Sequence, residues 1–224
     1  MASIPTHFVI YSHGFGVRKE DRGLFTAIAR SLPDAEHVMF NYNSINEAAN
    51  TLTAEPLTEQ MRKLRKVINT ARAEHPGAVI DLVCHAQGCV VAAMLKPRNI
   101  RKIILITPPD DVSEAAVAKQ LQGEAEIDTA IRTRVARPDG SATVVRPEYW
   151  QSLAGINPVR LYNRMAKFTA LRIIKAKQDE VLGDVSFGGI DPSVSLVALD
   201  GNHNFDEAES RKRLLYILQK ELAA

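Results

Sequence analysis

Short apolar runs alternate with longer amphipathic segments along most of the chain. Six runs have the length and the apolar, β-branched composition of buried strands: residues 7–11, 37–42, 79–83, 102–106, 170–176 and 194–199. Apolar residues recur with helical spacing in four segments: residues 24–32, 56–73, 90–95 and 206–222. This alternation is typical of βαβ units, and it predicts an α/β fold with a mostly parallel central sheet.

The alternation fails only between residues 110 and 167. In that segment, helical patterns span residues 113–121 and 158–168. Two β-prone stretches, residues 133–136 and 142–145, flank a Pro-Asp-Gly turn at residues 138–140, and the segment contains the only Trp, Trp150. We expect an inserted, largely helical cap over the carboxyl edge of the sheet. The predicted division is a core of residues 1–109 and 168–224 and a cap of residues 110–167.

Composition and charge limit the function classes. The chain has 224 residues, of which 46% are hydrophobic and 24% charged, with a formal net charge of +2, so it suits one globular domain and no nucleic-acid partner. No apolar run approaches the roughly 20 residues that span a bilayer, and the first residues lack the pattern of a secretory signal. Cys84 and Cys89 are the only cysteines, and they lie at a predicted strand end and helix start, so we expect no structural disulfide and a reducing compartment. A cytoplasmic monomer or homodimer is predicted.

The most specific pattern lies between residues 79 and 95. A strand-like apolar run ends in Cys-His-Ala-Gln-Gly-Cys at residues 84–89, and a helical apolar pattern starts at once. In a nucleophile elbow, the central residue of such a turn has a positive φ, and its neighbours two positions away are small so that strand and helix can pass closely. Here the central residue is Ala86 and the small neighbours are Cys84 and Gly88.

This stretch resembles the Gly-His-Ser-Gln-Gly-Gly elbow of the α/β-hydrolase superfamily, with Cys84 in place of the first Gly and Ala86 in place of the nucleophilic Ser. The resemblance covers nearly the whole chain outside the insertion. Residues 13–16 are similar to the family's His-Gly-x-Gly loop, and residues 201–205 to its Gly-x-His-x-Phe turn. It implies the α/β-hydrolase fold, with helices on both faces of the sheet and an inserted cap. It also implies a serine esterase that cleaves small to medium acyl esters without a cofactor or metal; amide, thioester and lactone substrates stay open.

The resemblance also implies a catalytic triad. In this superfamily the nucleophile, the acid and the base follow one another along the chain, each after a strand. The matching positions are Ala86, Asp179 and His203. From the residues alone, Glu180, Asp110 and Asp111 remain alternative acids.

Other site residues follow from the same resemblance. The oxyanion hole would use the backbone N–H groups of Phe15 and Gln87. Contacts with the substrate are expected from two residues of the glycine loop, His13 and Gly14. From the residues alone, and not from the resemblance, three bulky side chains of the insertion are also expected to contact the substrate: Tyr149, Trp150 and Leu153.

An alanine at the apex has a methyl group where the chemistry needs an oxygen, so the chain as written should not form an acyl-enzyme. Three explanations are open: a deliberate Ser→Ala substitution in an active esterase, a natural ligand-binding protein, or a hydrolase that uses another group. Because the acid, the base and the glycine loop still match the family, we favour the substituted esterase. Cys84 and Cys89 flank the apex without occupying it, which favours inert core thiols.

Overall fold

The computed structural model describes residues 7–122, 127–137 and 140–223. Ten strands lie in these ranges: β1 (His7–Ser12), β2 (Glu36–Val38), β3 (Ser44–Asn46), β4 (Thr51–Ala54), β5 (Val79–His85), β6 (Lys102–Ile106), β7 (Thr133–Ala136), β8 (Ala142–Val145), β9 (Ala170–Ala176) and β10 (Ser195–Leu199). Seven helices accompany them: α1 (Leu24–Ser31), α2 (Leu57–Glu74), α3 (Gln87–Leu95), α4 (Glu114–Gln122), α5 (Pro147–Gln151), α6 (Pro158–Ala166) and α7 (Ala208–Leu222).

Six strands form a central sheet in the order β10-β9-β6-β5-β1-β2, and every pair in it is parallel. Helices α2, α3 and α6 cover one face and helices α1 and α7 cover the other. Strand side chains alternate between the two cores, so that Ile10 and Leu82 pack on one face and Val9 and Val83 on the other. The predicted fold class is confirmed.

The parallel arrangement brings the carboxyl ends of the strands to one edge of the sheet. Cα pairing joins Ser12 to Cys84 and His85 to Ile106, so strands β1, β5 and β6 end nearly level. The loops that follow these strands therefore meet at this edge, which is where open α/β sheets place their sites.

The predicted elements differ from the observed ones mainly before residue 56. The strand predicted at residues 37–42 is shorter, because its pairing with β1 ends at Val38. The following connection, expected to be irregular, holds β3 and β4. The termini of β6 and β9 are as predicted.

A second, four-stranded sheet has the order β3-β4-β8-β7, in which β4 and β8 are parallel and the other pairs antiparallel. Strands β7 and β8 coincide with the two β-prone stretches of the segment 110–167, while Pro138 and Asp139 of the predicted turn lie outside the described residues. The segment thus mixes strands with helices, and its last helix, α6, packs against α3 and β9. The division into core and cap stays a prediction.

Among the described ranges, no helix combines the length and the apolar character that crossing a membrane requires.

Candidate active site

The elbow lies between β5 and α3, at the carboxyl edge of the sheet. Its apex, Ala86, has φ 47° and ψ −123°, a backbone conformation that residues other than glycine rarely adopt. Gly88 makes the turn possible, because a Cβ at this position would lie 2.1 Å from the carbonyl oxygen of Ser12 in β1. The sequence thus places a residue with a side chain at the apex and a glycine where α3 crosses β1.

His203 lies in the loop after β10, and its ring is held by Asp179 in the loop after β9. The Nδ1 atom of His203 is 2.9 Å and 3.0 Å from the two carboxylate oxygens of Asp179. Asp179 Oδ1 also accepts the backbone N–H groups of Val181 and Leu182, at 3.0 Å and 2.8 Å. Because Nδ1 donates to a fixed carboxylate, the neutral ring keeps a lone pair on Nε2, as a general base requires.

The other candidate acids have different contacts. Glu180 accepts the backbone N–H of His203 at 2.9 Å, so it holds the loop and not the ring. Asp110 and Asp111 accept backbone N–H groups of Ser186 and Ser113. Of the four candidates, only Asp179 hydrogen-bonds the ring of His203.

The apex and the histidine share a cleft of about 420 Å³. Gly14, Phe15 and Gln87 line the cleft beside them. Apolar side chains from the segment 110–167 and from the loop after β9 form much of the remaining wall: Val112, Val117, Leu121, Val135, Val181 and Leu182. The cleft therefore joins a hydrogen-bonded histidine to an apolar binding space.

Several solved structures are similar to the chain over nearly its whole length. Est1E from Butyrivibrio proteoclasticus, solved with ferulic acid bound, superposes with a TM-score of 0.75 at 17% identity, covering 98% of this chain and 89% of that chain. The esterase domain of a Rhodothermus marinus protein gives a TM-score of 0.69 at 16% identity, with 98% and 88% covered. An α/β serine hydrolase without a lid, from Xanthomonas campestris, gives 0.58 at 18% identity, with 99% and 85% covered.

The chain has the α/β-hydrolase fold. The predicted resemblance is thereby confirmed for the fold. No protein-family model and no curated protein matches the sequence.

Within this α/β-hydrolase fold, the two predicted oxyanion donors come from the expected loops. Gln87 is the first residue of α3, where a helix leaves its N–H groups without an intrahelical acceptor. Phe15 follows Gly14 in the loop after β1, and an added Cβ on Gly14 would lie 3.3 Å from the Cβ of Ala86. The absence of a side chain at Gly14 thus lets this loop come close to the apex.

His13 does not line the cleft, contrary to the expected substrate contact. It is buried, with Nδ1 donating to the carbonyl oxygen of Gly14 at 2.8 Å and Nε2 accepting the backbone N–H of Tyr42 at 2.9 Å. Burial lowers the pKa of His13, which keeps the ring neutral as these two hydrogen bonds require. Its role is to hold the glycine loop.

Tyr149, Trp150 and Leu153 also lie outside the cleft lining, so their expected substrate contacts are not found. The Tyr149 hydroxyl donates to the side-chain oxygen of Gln87, and its ring centroid lies 5.1 Å from that of Phe15. Trp150 and Leu153 line a different cavity, about 530 Å³ in volume. All three are nearly fully buried, because the bulky residues of α5 and the turn after it pack into the core.

Cys84 and Cys89 are fully buried, free thiols on either side of the apex. Burial raises the pKa of both, so they stay protonated and poorly nucleophilic. In the part of the chain that the structure describes, no three His, Cys, Asp or Glu side chains form a group that could hold a metal ion.

Asp21 is a site residue that sequence reasoning missed. It is 1% exposed and lines the cleft, and its carboxylate contacts both the glycine loop and His85 of the elbow. An Asp just before an apolar helix is commonly a helix cap, so its position in the sequence gave no signal of this contact. The contact depends on the turn that carries residues 20–23 back to the sheet edge.

Proposed function

We propose that the chain is the framework of a serine hydrolase that cleaves carboxylic esters through an acyl-enzyme, with Ala86 at the position of the nucleophilic serine. The observation that carries this proposal is that His203, with its ring hydrogen-bonded to Asp179, lines the same cleft as the strained apex. A base held by a carboxylate beside a residue at an elbow apex is the arrangement that activates a serine hydroxyl.

In the proposed mechanism, a serine at position 86 attacks the ester carbonyl while His203 Nε2 takes the hydroxyl proton. Asp179 fixes the tautomer of His203 and stabilises the imidazolium that forms. The backbone N–H groups of Phe15 and Gln87 stabilise the oxyanion, and His203 then gives its proton to the leaving alkoxide. Water repeats the sequence on the acyl-enzyme and releases the acid.

The chain as it stands has no Oγ at position 86, so the acyl-transfer step cannot occur through Ala86. Binding of the ester does not need that atom, because the cleft wall and the backbone donors come from other residues. We propose that the chain with Ala86 binds esters and turns them over far more slowly than its serine-containing form.

The substrate class follows from the size and wall of the cleft. A volume of about 420 Å³ with several apolar side chains in its wall suits an acyl or aryl group of small to medium size. Est1E binds ferulic acid, and the similar Rhodothermus marinus structure is an esterase domain. Both similarities support an ester substrate for this chain. The proposed route needs no cofactor, and we propose a protein that works as a monomer or homodimer.

A natural ligand-binding protein is the second candidate, and Ala86 itself is the observation that favours it. Such a protein would use the same cleft without chemistry. The two candidates differ in what an added oxygen does at position 86.

The test is the Ala86→Ser variant, assayed with p-nitrophenyl esters of increasing acyl length and compared with the chain that has Ala86. We expect saturable hydrolysis by Ala86→Ser and the loss of nearly all of it in Ala86→Ser/His203→Ala, since a serine without its base is a weak nucleophile. A folded Ala86→Ser variant that binds these esters without hydrolysing them would replace the esterase proposal by the binding protein.

A further inference from the structure

A second carboxylate–histidine pair lies directly beside the elbow. Asp21 Oδ2 accepts the backbone N–H of Gly14 at 2.9 Å and lies 2.8 Å from Nδ1 of His85. Asp21 and His85 are 1% and 2% exposed. One carboxylate oxygen therefore joins the glycine loop after β1 to the last residue of β5.

His85 continues the connection to a third loop. Its Nε2 lies 3.2 Å from the backbone carbonyl oxygen of His203, and the two imidazole centroids are 4.9 Å apart. Thr107 Oγ1 donates to the same carbonyl oxygen at 3.3 Å. The loop that carries the proposed base is thus anchored through its own backbone to the elbow strand.

The partners of His85 settle its charge. A carboxylate and a carbonyl oxygen are both acceptors, so both ring nitrogens must donate, and only the imidazolium has two N–H groups. Burial opposes this charge, but the adjacent Asp21 carboxylate outweighs it and raises the pKa of His85. Burial likewise opposes the charge of Asp21, and the charge and hydrogen bond of His85 outweigh it, so the pKa of Asp21 is lowered.

The turn that delivers Asp21 is unusual. Three consecutive residues, Asp21, Arg22 and Gly23, have positive φ values of 46°, 53° and 85°. Residues with side chains rarely hold this conformation unless the surrounding structure fixes them. Here the Asp21 carboxylate is fixed by its bonds to the glycine loop and to His85.

We propose that Asp21 and His85 are positioning residues for the reaction. Asp21 holds the glycine loop after β1 through Gly14, and through His85 it holds the loop of His203. The glycine loop, the elbow and the loop of His203 are thereby kept in fixed positions around residue 86. This inference rests on the proposed function for its effect on rate, although the arrangement of the loops can be tested without any reaction.

A second buried histidine–carboxylate pair, near the amino ends of strands β1 and β5, provides a matched control. His7 of β1 and Asp81 of β5 form a buried pair, with His7 Nε2 2.8 Å from Asp81 Oδ2. Asp81 is fully buried and also accepts hydrogen bonds from Arg101 and from a backbone N–H. It lies at the amino ends of the strands, away from the cleft, so its loss should affect stability without affecting the chemistry.

The kinetic test compares Asp21→Asn and Asp81→Asn, each in the Ala86→Ser background and well below its unfolding temperature. Because small misplacements of reacting groups cost up to about 10²-fold in rate, Asp21→Asn should lower kcat by about 10- to 100-fold with KM nearly unchanged. Asp81→Asn should leave kcat within about twofold of its parent, since no misplacement follows at the cleft. Equal kcat losses in both variants, or an unchanged kcat in Asp21→Asn, would overturn the proposal.

The second test needs no catalysis and uses the chain with Ala86. Nitrogen-15 spectra of the His85 ring should show both nitrogens protonated at about pH 6, below the ordinary pKa of about 6.5 for a histidine. Amide hydrogen exchange at Gly14 and Phe15 should become faster in Asp21→Asn and stay unchanged in Asp81→Asn.

The two tests separate the two proposals. A neutral His85 ring, or unchanged exchange at Gly14 in Asp21→Asn, would overturn the positioning role even if Ala86→Ser is an active esterase. Faster exchange at Gly14 in Asp21→Asn with an inactive Ala86→Ser would instead keep the positioning of the loops and remove the proposed function.

Discussion

Replacing Ala86 by glycine should stabilise the protein, although glycine usually destabilises a folded chain. Ala86 has φ 47° and ψ −123°, outside the left-handed well in which residues with side chains are tolerated. Holding a side chain in such a region costs on the order of 1–3 kcal/mol, and Gly removes that strain. Two effects oppose this gain. The greater conformational entropy of Gly in the unfolded chain lowers the free energy of unfolding by about 0.5–1 kcal/mol. Removing a half-buried methyl group lowers it by less than the ~0.8 kcal/mol expected for a fully buried one.

The net expectation for Ala86→Gly is a gain of about 1 kcal/mol in the free energy of unfolding, or about 2–4 °C in Tm for a chain of this size. Urea unfolding at 25 °C measures it. Ala118→Gly is the matched control, because Ala118 is a half-buried alanine in α4 with ordinary helical geometry and should lose about 1 kcal/mol. Loss of stability in Ala86→Gly similar to that in Ala118→Gly would refute the strain at the apex.

Three further predictions concern the elbow and its neighbours. Gly88→Ala should destabilise the fold by about 3 kcal/mol or more, since its Cβ would meet a backbone oxygen at 2.1 Å; an unchanged urea midpoint would contradict this. The Asp21–His85 pair should stabilise the fold most between about pH 4 and about pH 6.5. Its contribution is lost below this range as pH falls through the lowered pKa of Asp21. It is lost above this range as pH rises through the raised pKa of His85. The urea midpoint of the chain minus that of Asp21→Asn, followed against pH, measures this contribution, and a steady increase with pH would be inconsistent with it. In the Ala86→Ser background, Asp179→Asn should lower kcat by about 10⁴-fold and Glu180→Gln by much less, so the reverse ranking in a p-nitrophenyl ester assay would reject Asp179 as the acid.

The parallel sheet was predictable because its central strands β1, β5 and β6 are buried almost throughout and are mostly apolar. The predicted bounds of β6 coincide with the observed ones, as do those of β9, which contains Arg172 and Lys175 among its apolar residues. The elbow was predictable for a local reason, since Gly88 and the abrupt change from strand to helical spacing both lie within ten residues of Ala86. Patterns that depend on neighbouring residues are visible in the sequence.

The second sheet was only half predictable. Strands β7 and β8 have β-prone sequences, but β3 and β4 are three and four residues long and contain polar residues. Strand β4 exists because it pairs with β8, far along the chain. The Thr-Leu-Thr-Ala sequence of β4 alternates polar and apolar residues, but four residues are too few to distinguish a strand from a loop without its partner.

The site shows the same limit. The contact between Asp179 and His203 was predicted from the order of the two residues along the chain and from the motif around His203. The contact between Asp21 and His85 depends on a turn for which the sequence has no recognisable pattern. The bulk of Tyr149, Trp150 and Leu153 and their place in the insertion predict substrate contacts, which the cleft lining does not show. Burial of a large apolar side chain serves the core as readily as a cleft, and here the core contains all three.

The central claim is that position 86 is the nucleophile position of an esterase framework. Intact-mass spectrometry after treatment with an alkyl fluorophosphonate tests it most directly, because this reagent forms a bond only with an activated hydroxyl. We expect one adduct per chain in Ala86→Ser, mapped to position 86, and almost none in the chain with Ala86 or in Ala86→Ser/His203→Ala. A folded Ala86→Ser variant that remains unlabelled, or equal labelling of the chain with Ala86, would contradict the claim.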